Sequence, residues 1–248
     1  MSLTFQQTLK SNIKKLLASR GYALVRLDAQ QYLGTMDDAM RTIAKRKHSF
    51  NTVIDVGASD GHWTASLMKY FPLCHYLLVE AQPVHEKDLQ RFSNEHENAK
   101  FVLAAAGETP GQIYFDASDP FSGQASYTPY ASNNIQVPVT TIDSETGARG
   151  LTGPYLIKLD THGFEVPILK GASRTLKETD VIVMECYNFR IAKECLLFFE
   201  MCIFLKELGF RCIDLVDVLH RPHDDSLWQM DLVFVKDSRP EFGCLTWR

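Results

Sequence analysis

Short apolar runs that end in a polar residue or a glycine recur along this chain, and amphipathic helical patterns separate them. Runs rich in β-branched residues predict buried strands, at 53–56, 75–80, 100–107, 136–143, 155–159 and 180–187. Apolar residues at helical spacing predict helices, at 61–70, 84–94 and 193–208. Strands that alternate with helices in this way are typical of α/β proteins with a mostly parallel, doubly wound sheet.

The last part of the pattern departs from this alternation. Residues 211–218 and 230–236 predict two strands, and the gap between them is too short for a crossover helix. We therefore expect an antiparallel hairpin at the carboxyl end. Residues 111–116 alternate like a further strand, and Pro138 predicts an edge position for the strand at 136–143.

Two helices are predicted before the first strand. In the first, Thr4 is a candidate cap and Leu9, Ile13, Leu16 and Leu17 share one face. Such a helix can lie on a membrane, but packing against the domain or against a second copy in a homodimer is the better interpretation. Residues 36–47 predict the second helix. The expected organisation is a helical extension at 1–50 followed by one catalytic domain at 51–248.

Composition narrows the class of protein. With 45% hydrophobic and 23% charged residues the chain should form a sizeable core, and its net charge of −4 offers no general attraction to nucleic acid or to an anionic membrane. The six cysteines form no CxxC pair, which favours reduced thiols and a cytoplasmic location. No apolar stretch approaches the length of a membrane span or of a secretory h-region.

The glycine turn after the first strand indicates a nucleotide-type cofactor. Asp55, Gly57 and Gly61 follow an Asp-x-Gly-x-x-x-Gly spacing between a strand and a helix, where backbone N–H groups can approach a ligand. A dinucleotide fingerprint would need a third glycine where the chain has His62, so NAD or FAD is disfavoured. The spacing instead resembles the first motif of class I methyltransferases, which bind S-adenosylmethionine (SAM).

A second acid follows at the end of the next strand. Glu80 comes about 25 residues after Asp55, where α/β nucleotide sites place the carboxylate that holds the ribose hydroxyls. The small residues at 104–107 either admit a flat adenine or pack tightly in the core. The predicted cofactor-binding residues are Asp55, Gly57, Ala58, Ser59, Gly61, Glu80, Ala81, Ala105, Ala106 and Asp160.

The stretch 155–172 repeats the arrangement of strand, acid, glycine turn and helix. Asp160 ends its strand, at the edge where open α/β sheets bind ligands. Between the two stretches, residues 117–134 form a long segment of Ser, Gly and Pro with interspersed aromatics. A loop of this length in a compact enzyme is typical of a lid that faces the substrate, and we expect it to order on ligand binding.

Taken together, these segments resemble the FkbM family of SAM-dependent methyltransferases, over about residues 52–236. The resemblance rests on the motifs at 53–61, 79–83 and 139–143, and above all on Ile-Lys-Leu-Asp-x-x-Gly-x-Glu-x-x-Ile-Leu-Lys-Gly-Ala at 157–172. It implies a seven-stranded sheet whose last strand is antiparallel. It also implies methyl transfer from SAM, typically to a hydroxyl of a sugar, polyketide or related small molecule.

One position departs from the family pattern: His162 stands where members often carry Glu. A free imidazole is neutral near pH 7, so His162 is the first candidate for the general base, with Asp160 as its neighbour or as part of the cofactor floor. His162 could equally cap its turn. The base would then be sought at Asp160, Glu165 or Glu185.

No recognisable metal motif is present, and we predict no metal site. Asp160, Glu185 and Asn188 could hold Mg²⁺ at the ends of adjacent strands, as in catechol-type methyltransferases. His220, His223 and Asp224 are better interpreted as a solvated turn. Two other functions remain as alternatives, a nicotinamide oxidoreductase and a binding or scaffold protein without catalysis. Titration with SAM and with NAD(P) would separate all three.

Overall fold

The computed structural model describes residues 13–17, 19–20, 34–131 and 134–246. The chain divides into two compact units, Met1–Leu33 and Gly34–Arg248. In the first unit, residues 13–17 are helical, as the amphipathic pattern predicted, whereas Thr4 and Leu9 lie outside the described residues. The helix predicted at 36–47 belongs to the second unit, and the domain boundary at residue 50 stays a prediction.

The second unit alternates strands with helices. Its strands are β1 (Thr52–Val56), β2 (His75–Glu80), β3 (Ala99–Leu103), β4 (Ala105–Ala106), β5 (Gly111–Asp116), β6 (Gln124–Ser126), β7 (Asn134–Thr140), β8 (Tyr155–Leu159), β9 (Thr179–Tyr187), β10 (Phe210–His220) and β11 (Leu227–Lys236). Its α-helices are α1 (Met36–Lys45), α2 (His62–Met68), α3 (Glu86–Glu95), α4 (Ile142–Ala148), α5 (Glu165–Lys170) and α6 (Phe198–Glu207). Short 3₁₀ helices occupy Pro83–His85, Thr175–Glu178 and Pro240–Gly243.

Seven of the strands form one sheet in the order β10-β11-β9-β8-β1-β2-β3. Strands β1, β2, β3, β8 and β9 pair in parallel, while β11 runs antiparallel to both β9 and β10. This confirms the predicted fold class, a mostly parallel seven-stranded sheet with an antiparallel hairpin at its carboxyl end. The first residue after β1, Gly57, and the first after β8, Asp160, lie at the same edge of the sheet, because β1 and β8 are parallel neighbours.

Both faces of the sheet are covered, as a doubly wound fold requires. Side chains alternate along each strand, so Ile54 and Val56 face one cluster of buried residues while Val53 faces the other. Helices α4, α5 and α6 supply apolar residues to the first cluster, and α1, α2 and α3 supply them to the second. Burial on both faces explains why these strands read as continuous apolar runs.

Two details differ from the sequence prediction. The run at 100–107 breaks at Ala104: β3 stays in the main sheet, while β4 joins a small sheet of order β4-β7-β5-β6. The strand with Pro138 is therefore not at an edge, since β7 lies between β4 and β5. Proline is tolerated there because β4 is short and pairs only with Val139 and Thr140.

Candidate active site

The turn after β1 brings two parts of the predicted site into contact. Gly57 has a φ of +77°, and a Cβ built on it would lie 2.0 Å from the carbonyl oxygen of Asp160. Only glycine permits both this left-handed conformation and this approach of two backbones. The N–H of Gly57 donates to the Val79 carbonyl (2.9 Å), so the turn is also fixed to the end of β2.

Glu80 closes the turn from the side of β2. One of its carboxylate oxygens accepts the N–H of Ser59 (2.8 Å) and the other accepts the N–H of Gln82 (2.7 Å). Its side chain is buried but borders a cavity. Each oxygen retains acceptor capacity for a ligand hydroxyl, since a carboxylate offers about four lone-pair sites. The acid predicted at the end of β2 thus lies beside the glycine turn.

The cavity beside Glu80 has a volume of about 420 Å³, within the usual size of small-molecule sites. Its lining includes apolar side chains, those of Ala104, Phe115, Ala125, Phe164 and Ile168. It also includes charged and polar residues, Asp60, Lys158, Asp160, Thr161 and His162. Most predicted cofactor-binding residues line this cavity, namely Gly57, Ala58, Ser59, Glu80, Ala81, Ala105, Ala106 and Asp160.

Two of the predicted cofactor-binding residues lie behind the wall instead. Asp55 is 1% exposed; it accepts the hydroxyl of Thr64 (2.7 Å), and its other oxygen is 3.4 Å from the ammonium of Lys158. Burial raises the pKa of Asp55, and the charge of Lys158 opposes that rise. Gly61 starts α2 with a φ of +85°, and its missing Cβ leaves room for the ring of Phe92. Both positions therefore shape the turn rather than border the cavity.

Lys158 forms ion pairs with both Asp55 and Asp160. Its ammonium lies 3.0 Å from a carboxylate oxygen of Asp160 and donates to the Gly57 carbonyl (3.3 Å). Burial favours the neutral amine, but the charges of Asp55 and Asp160 outweigh it and raise the pKa of Lys158. The pKa of Asp160 is lowered: burial opposes this, and Lys158 together with His162 overcomes it. Asp160 is therefore an ionised carboxylate at the cavity.

His162 lies in the turn after β8 with a φ of +52°. Its Nδ1 is 3.0 Å from a carboxylate oxygen of Glu185 and 2.8 Å from the Tyr187 hydroxyl, and its Nε2 is 3.2 Å from the Phe121 carbonyl. Burial disfavours the imidazolium, but Glu185 and Asp160 stabilise it and raise the pKa of His162 to about 9.

This environment contradicts the expected neutral imidazole. Near pH 7 both ring nitrogens of His162 carry protons, and an imidazolium cannot accept another. Sequence reasoning assumed the pKa of a solvated histidine, whereas the partners of His162 are more than twenty positions away in the chain. His162 lines the cavity, and any part it plays in catalysis stays a prediction.

Glu185 is the centre of a second set of contacts. Besides His162, its carboxylate accepts the hydroxyl of Tyr187 and the amide of Gln229. Within the described ranges, Asp160, His162 and Glu185 are the group whose ligand atoms lie close enough together, within 4.8 Å, to hold one metal ion. Asn188, the third member of the magnesium set considered from the sequence, donates its side-chain amide to the Leu227 carbonyl.

The metal candidate at 220–224 is a turn. The side chain of Arg221 pairs with Asp224 (2.6 Å) between β10 and β11, and both residues keep substantial exposure to solvent. His220 and His223 are exposed in the same hairpin. The interpretation as a solvated turn agrees with this geometry.

Several residues of the cavity were missed from the sequence. Lys158 gave a signal, since a lysine inside an apolar strand needs a charged partner. Gln82 and His85 gave no such signal in the sequence. In the structure both are 4% exposed, and both donate hydrogen bonds to the segment that covers the cavity. Phe115 and Phe164 resembled ordinary core residues, and only the fold brings them to the lining of the cavity.

Comparison with known proteins agrees with this geometry. The family model described as methyltransferase FkbM domain matches residues 55–212. No curated protein matches the chain.

Solved structures of other methyltransferases and of fibrillarins are similar to this chain at low identity, with TM-scores below 0.5. Precorrin-6y C5,15-methyltransferase from Geobacter metallireducens is 14% identical, with 84% of this chain and 93% of that chain covered and a TM-score of 0.45. Aeropyrum pernix fibrillarin, solved with bound SAM, is 16% identical over 73% of this chain and 66% of that chain, with a TM-score of 0.42. The fibrillarin pre-rRNA processing protein of Methanococcus jannaschii is 14% identical over 76% and 67%, with a TM-score of 0.48.

The sheet order, the glycine turn and the match together define a SAM-dependent methyltransferase of the Rossmann-like class I fold. The chain belongs to the FkbM methyltransferase family, whose model covers more than half of it. Its cofactor is S-adenosyl-L-methionine, and the nicotinamide alternative is set aside.

Proposed function

We propose that this methyltransferase acts on a hydroxyl oxygen of a small acceptor, such as a sugar, a polyketide or a related molecule. The observation that carries the proposal is the carboxylate of Asp160, which is 37% exposed in its side chain and lines the cofactor cavity. A hydroxyl is a hydrogen-bond donor, and an ionised carboxylate is the acceptor that orients it.

The volume of the cavity and the residues that line it support SAM as its ligand. Glu80 would hold the ribose hydroxyls, and the apolar lining residues Phe115 and Phe164 would pack against the adenine. The turn at Gly57–Ser59 would contact the methionine part, and the reactive methyl group would face Asp160. When bound, SAM supplies an activated sulfonium methyl group, so the protein contributes binding, alignment and proton removal.

The proton of the acceptor would go to Asp160. His162 is an imidazolium near pH 7 and has no free acceptor nitrogen, whereas Asp160 is ionised and faces the cavity. Lys158 and His162 would orient this carboxylate and keep it charged until the C–O bond forms. Glu185 would act through His162, because two of its partners, Tyr187 and Gln229, hold it away from the cavity.

The proposal also covers the cellular location of the protein and the size of its acceptor. All six cysteines are free thiols, which supports a reducing compartment and hence the cytoplasm. A net charge of −4 supports a small acceptor rather than a nucleic acid. Among the described residues, no helix is long and apolar enough to span a membrane.

The experiment is a transfer assay with methyl-labelled SAM and a panel of hydroxylated acceptors, each paired with its deoxy or already O-methylated analogue. Label should enter the hydroxylated member of a pair and not its analogue. Asp160→Asn keeps the shape of the side chain but removes its basicity, so turnover should fall by about 10²–10⁴-fold while SAM affinity stays similar.

Asp237→Asn, at an exposed position after β11, is the matched control and should leave turnover unchanged. Label found on carbon or nitrogen of the acceptor would refute O-methylation. Turnover of Asp160→Asn within a few-fold of wild type would remove Asp160 as the base but leave the acceptor class standing.

A further inference from the structure

Three side chains of the nucleotide-binding core donate to consecutive backbone carbonyls of the segment that covers the cavity. Gln82 Nε2 reaches the carbonyls of residues 119 and 120 (3.0 Å each), and His85 Nε2 reaches that of residue 120 (2.7 Å). His162 Nε2 lies 3.2 Å from the carbonyl of residue 121. Gln82 and His85 come from the residues that follow the parallel strand β2, with His85 at the end of a 3₁₀ helix, and His162 comes from the turn after the parallel strand β8.

Each donor also adjoins a residue proposed to hold the cofactor. The backbone N–H of Gln82 donates to the carboxylate of Glu80, which fixes that carboxylate against the backbone of Gln82. His85 Nε2 is 3.4 Å from the hydroxyl of Ser59 in the glycine turn. His162 lies two residues after Asp160, with Nδ1 4.0 Å from its carboxylate. The three donors therefore link the walls of the cavity to its cover.

The segment that covers the cavity, residues 119–123, packs closely against Phe115 and Gln82. A Cβ on Gly123 would lie 2.4 Å from the ring of Phe115 and 2.6 Å from the amide nitrogen of Gln82. Gly123 borders the cavity together with Pro120 and Phe121. A residue larger than glycine at position 123 would therefore push the backbone of the segment away from Phe115 and Gln82.

We propose that Gln82, His85 and His162 form a clamp that holds residues 119–123 over the bound cofactor and sets the rate at which SAM and its demethylated product leave. The three are positioning residues, since they act through the segment and not on the reacting atoms. Release of the cofactor requires these carbonyls to separate from their donors. Loss of a donor therefore accelerates release more than it alters chemistry, and this inference rests on SAM binding in the same cavity.

The test measures dissociation of S-adenosylhomocysteine from the full chain by rapid mixing with excess competitor, beside kcat with a competent acceptor. Gln82→Met and His85→Met keep the approximate volume of the side chain but remove the donor, and dissociation should speed up by about 3–10-fold for each. His85→Gln restores an N–H at about the same distance from the backbone and should return the rate towards wild type. A purely structural role would not show this recovery.

A second pair of variants tests how closely the segment packs and leaves the three donor residues themselves unsubstituted. Gly123→Ala should also accelerate dissociation, because the methyl group displaces the segment from Phe115 and Gln82. Gly111→Ala, at the start of β5 with no atom within 4 Å of its Cβ, is the control and should bind and release ligand as wild type does.

The outcomes separate this inference from the proposed function. If the wild-type chain binds the ligand but Gln82→Met, His85→Met and Gly123→Ala all release it at the wild-type rate, the clamp is refuted and the function stands. If His85→Gln is as fast as His85→Met, the hydrogen bond is not the cause and the clamp is refuted as well. If the wild-type chain binds neither SAM nor its product, the cofactor assignment to this cavity fails first.

Discussion

Nδ1 of His162 lies 3.0 Å from a carboxylate oxygen of Glu185, and Nε2 of the same ring faces the Phe121 carbonyl. The side chain of Glu185 is 10% exposed and that of His162 is 17% exposed, so solvent screens the pair only weakly. Because this contact raises the pKa of His162, the residue proposed as a base is a cation near pH 7. It also ties the turn after β8 to the end of β9, two neighbouring parallel strands.

The first prediction concerns the titration of His162. Its pKa in the folded protein is about 9, above the ordinary value of 6.5, so the pair with Glu185 stabilises the fold fully below pH 6.5. That contribution is lost as the pH rises through about 9. Glu185→Gln should therefore lower the free energy of unfolding by about 1.5–3 kcal/mol below pH 6.5, with a smaller loss above pH 9.

Urea unfolding over this pH range measures the stability, and NMR of the imidazole measures the pKa of His162 directly. The matched control is Glu207→Gln at the exposed end of α6, which should show no such dependence on pH. An imidazole that titrates near 6.5 in the wild-type protein would restore His162 as a candidate base.

Sequence patterns predicted the parts of the site that lie within single segments. The glycine turn, the acid after β2 and the acid after β8 each follow directly from a strand, and strand ends meet at one edge of a parallel sheet. The pattern could not predict which side chains become neighbours. His162 meets Phe121, 41 positions away, and this contact depends on how the covering segment folds back.

The same limit explains the error in the third predicted strand. The run at 100–107 is continuously apolar, and hydrophobic periodicity cannot locate a change of sheet inside such a run. The chain leaves the main sheet at Ala104, whose N–H donates to the Glu80 carbonyl (2.8 Å), and β4 then pairs with β7. This break opens the space where small residues border the cavity.

The second prediction concerns Glu80. Both of its oxygens accept backbone N–H groups, so Glu80→Gln would direct an amide N–H against one of these donors. SAM affinity should fall by about 1.5–3 kcal/mol, the scale of a hydrogen bond to a charged group. Calorimetric titration measures the affinity, with Glu86→Gln on the exposed side of α3 as the control. Unchanged affinity in a folded Glu80→Gln variant would take Glu80 out of the cofactor site.

The third prediction separates backbone strain from collision in the glycine turn. Gly57→Ala imposes a φ of +77° on alanine and places its Cβ 2.0 Å from the Asp160 carbonyl. Gly209→Ala imposes a similar φ of +81° with no atom within 4 Å. Strain alone costs about 1–2 kcal/mol, and overpacking adds about 1–3 kcal/mol at Gly57.

Thermal and urea unfolding should therefore rank the two variants, with Gly57→Ala the less stable. Gly57→Ala should also lose SAM binding, because the turn must move away from β8. Equal stability of the two variants would contradict the close approach between Gly57 and Asp160.

The last prediction concerns the buried charge of Lys158. Lys158→Met leaves Asp55, 1% exposed, without a cationic neighbour, and removal of one partner of a buried ion pair costs about 3–5 kcal/mol. Protonation of Asp55 relieves this cost, so the deficit should shrink as the pH falls. Lys158→Met combined with Asp55→Asn should recover much of the stability at neutral pH, because the uncompensated charge is gone. The ammonium of Lys158 also lies 5.5 Å from the centre of the Trp63 ring. If unfolding in urea shows no recovery in the double variant, the loss comes from this lost contact and not from the charge of Asp55.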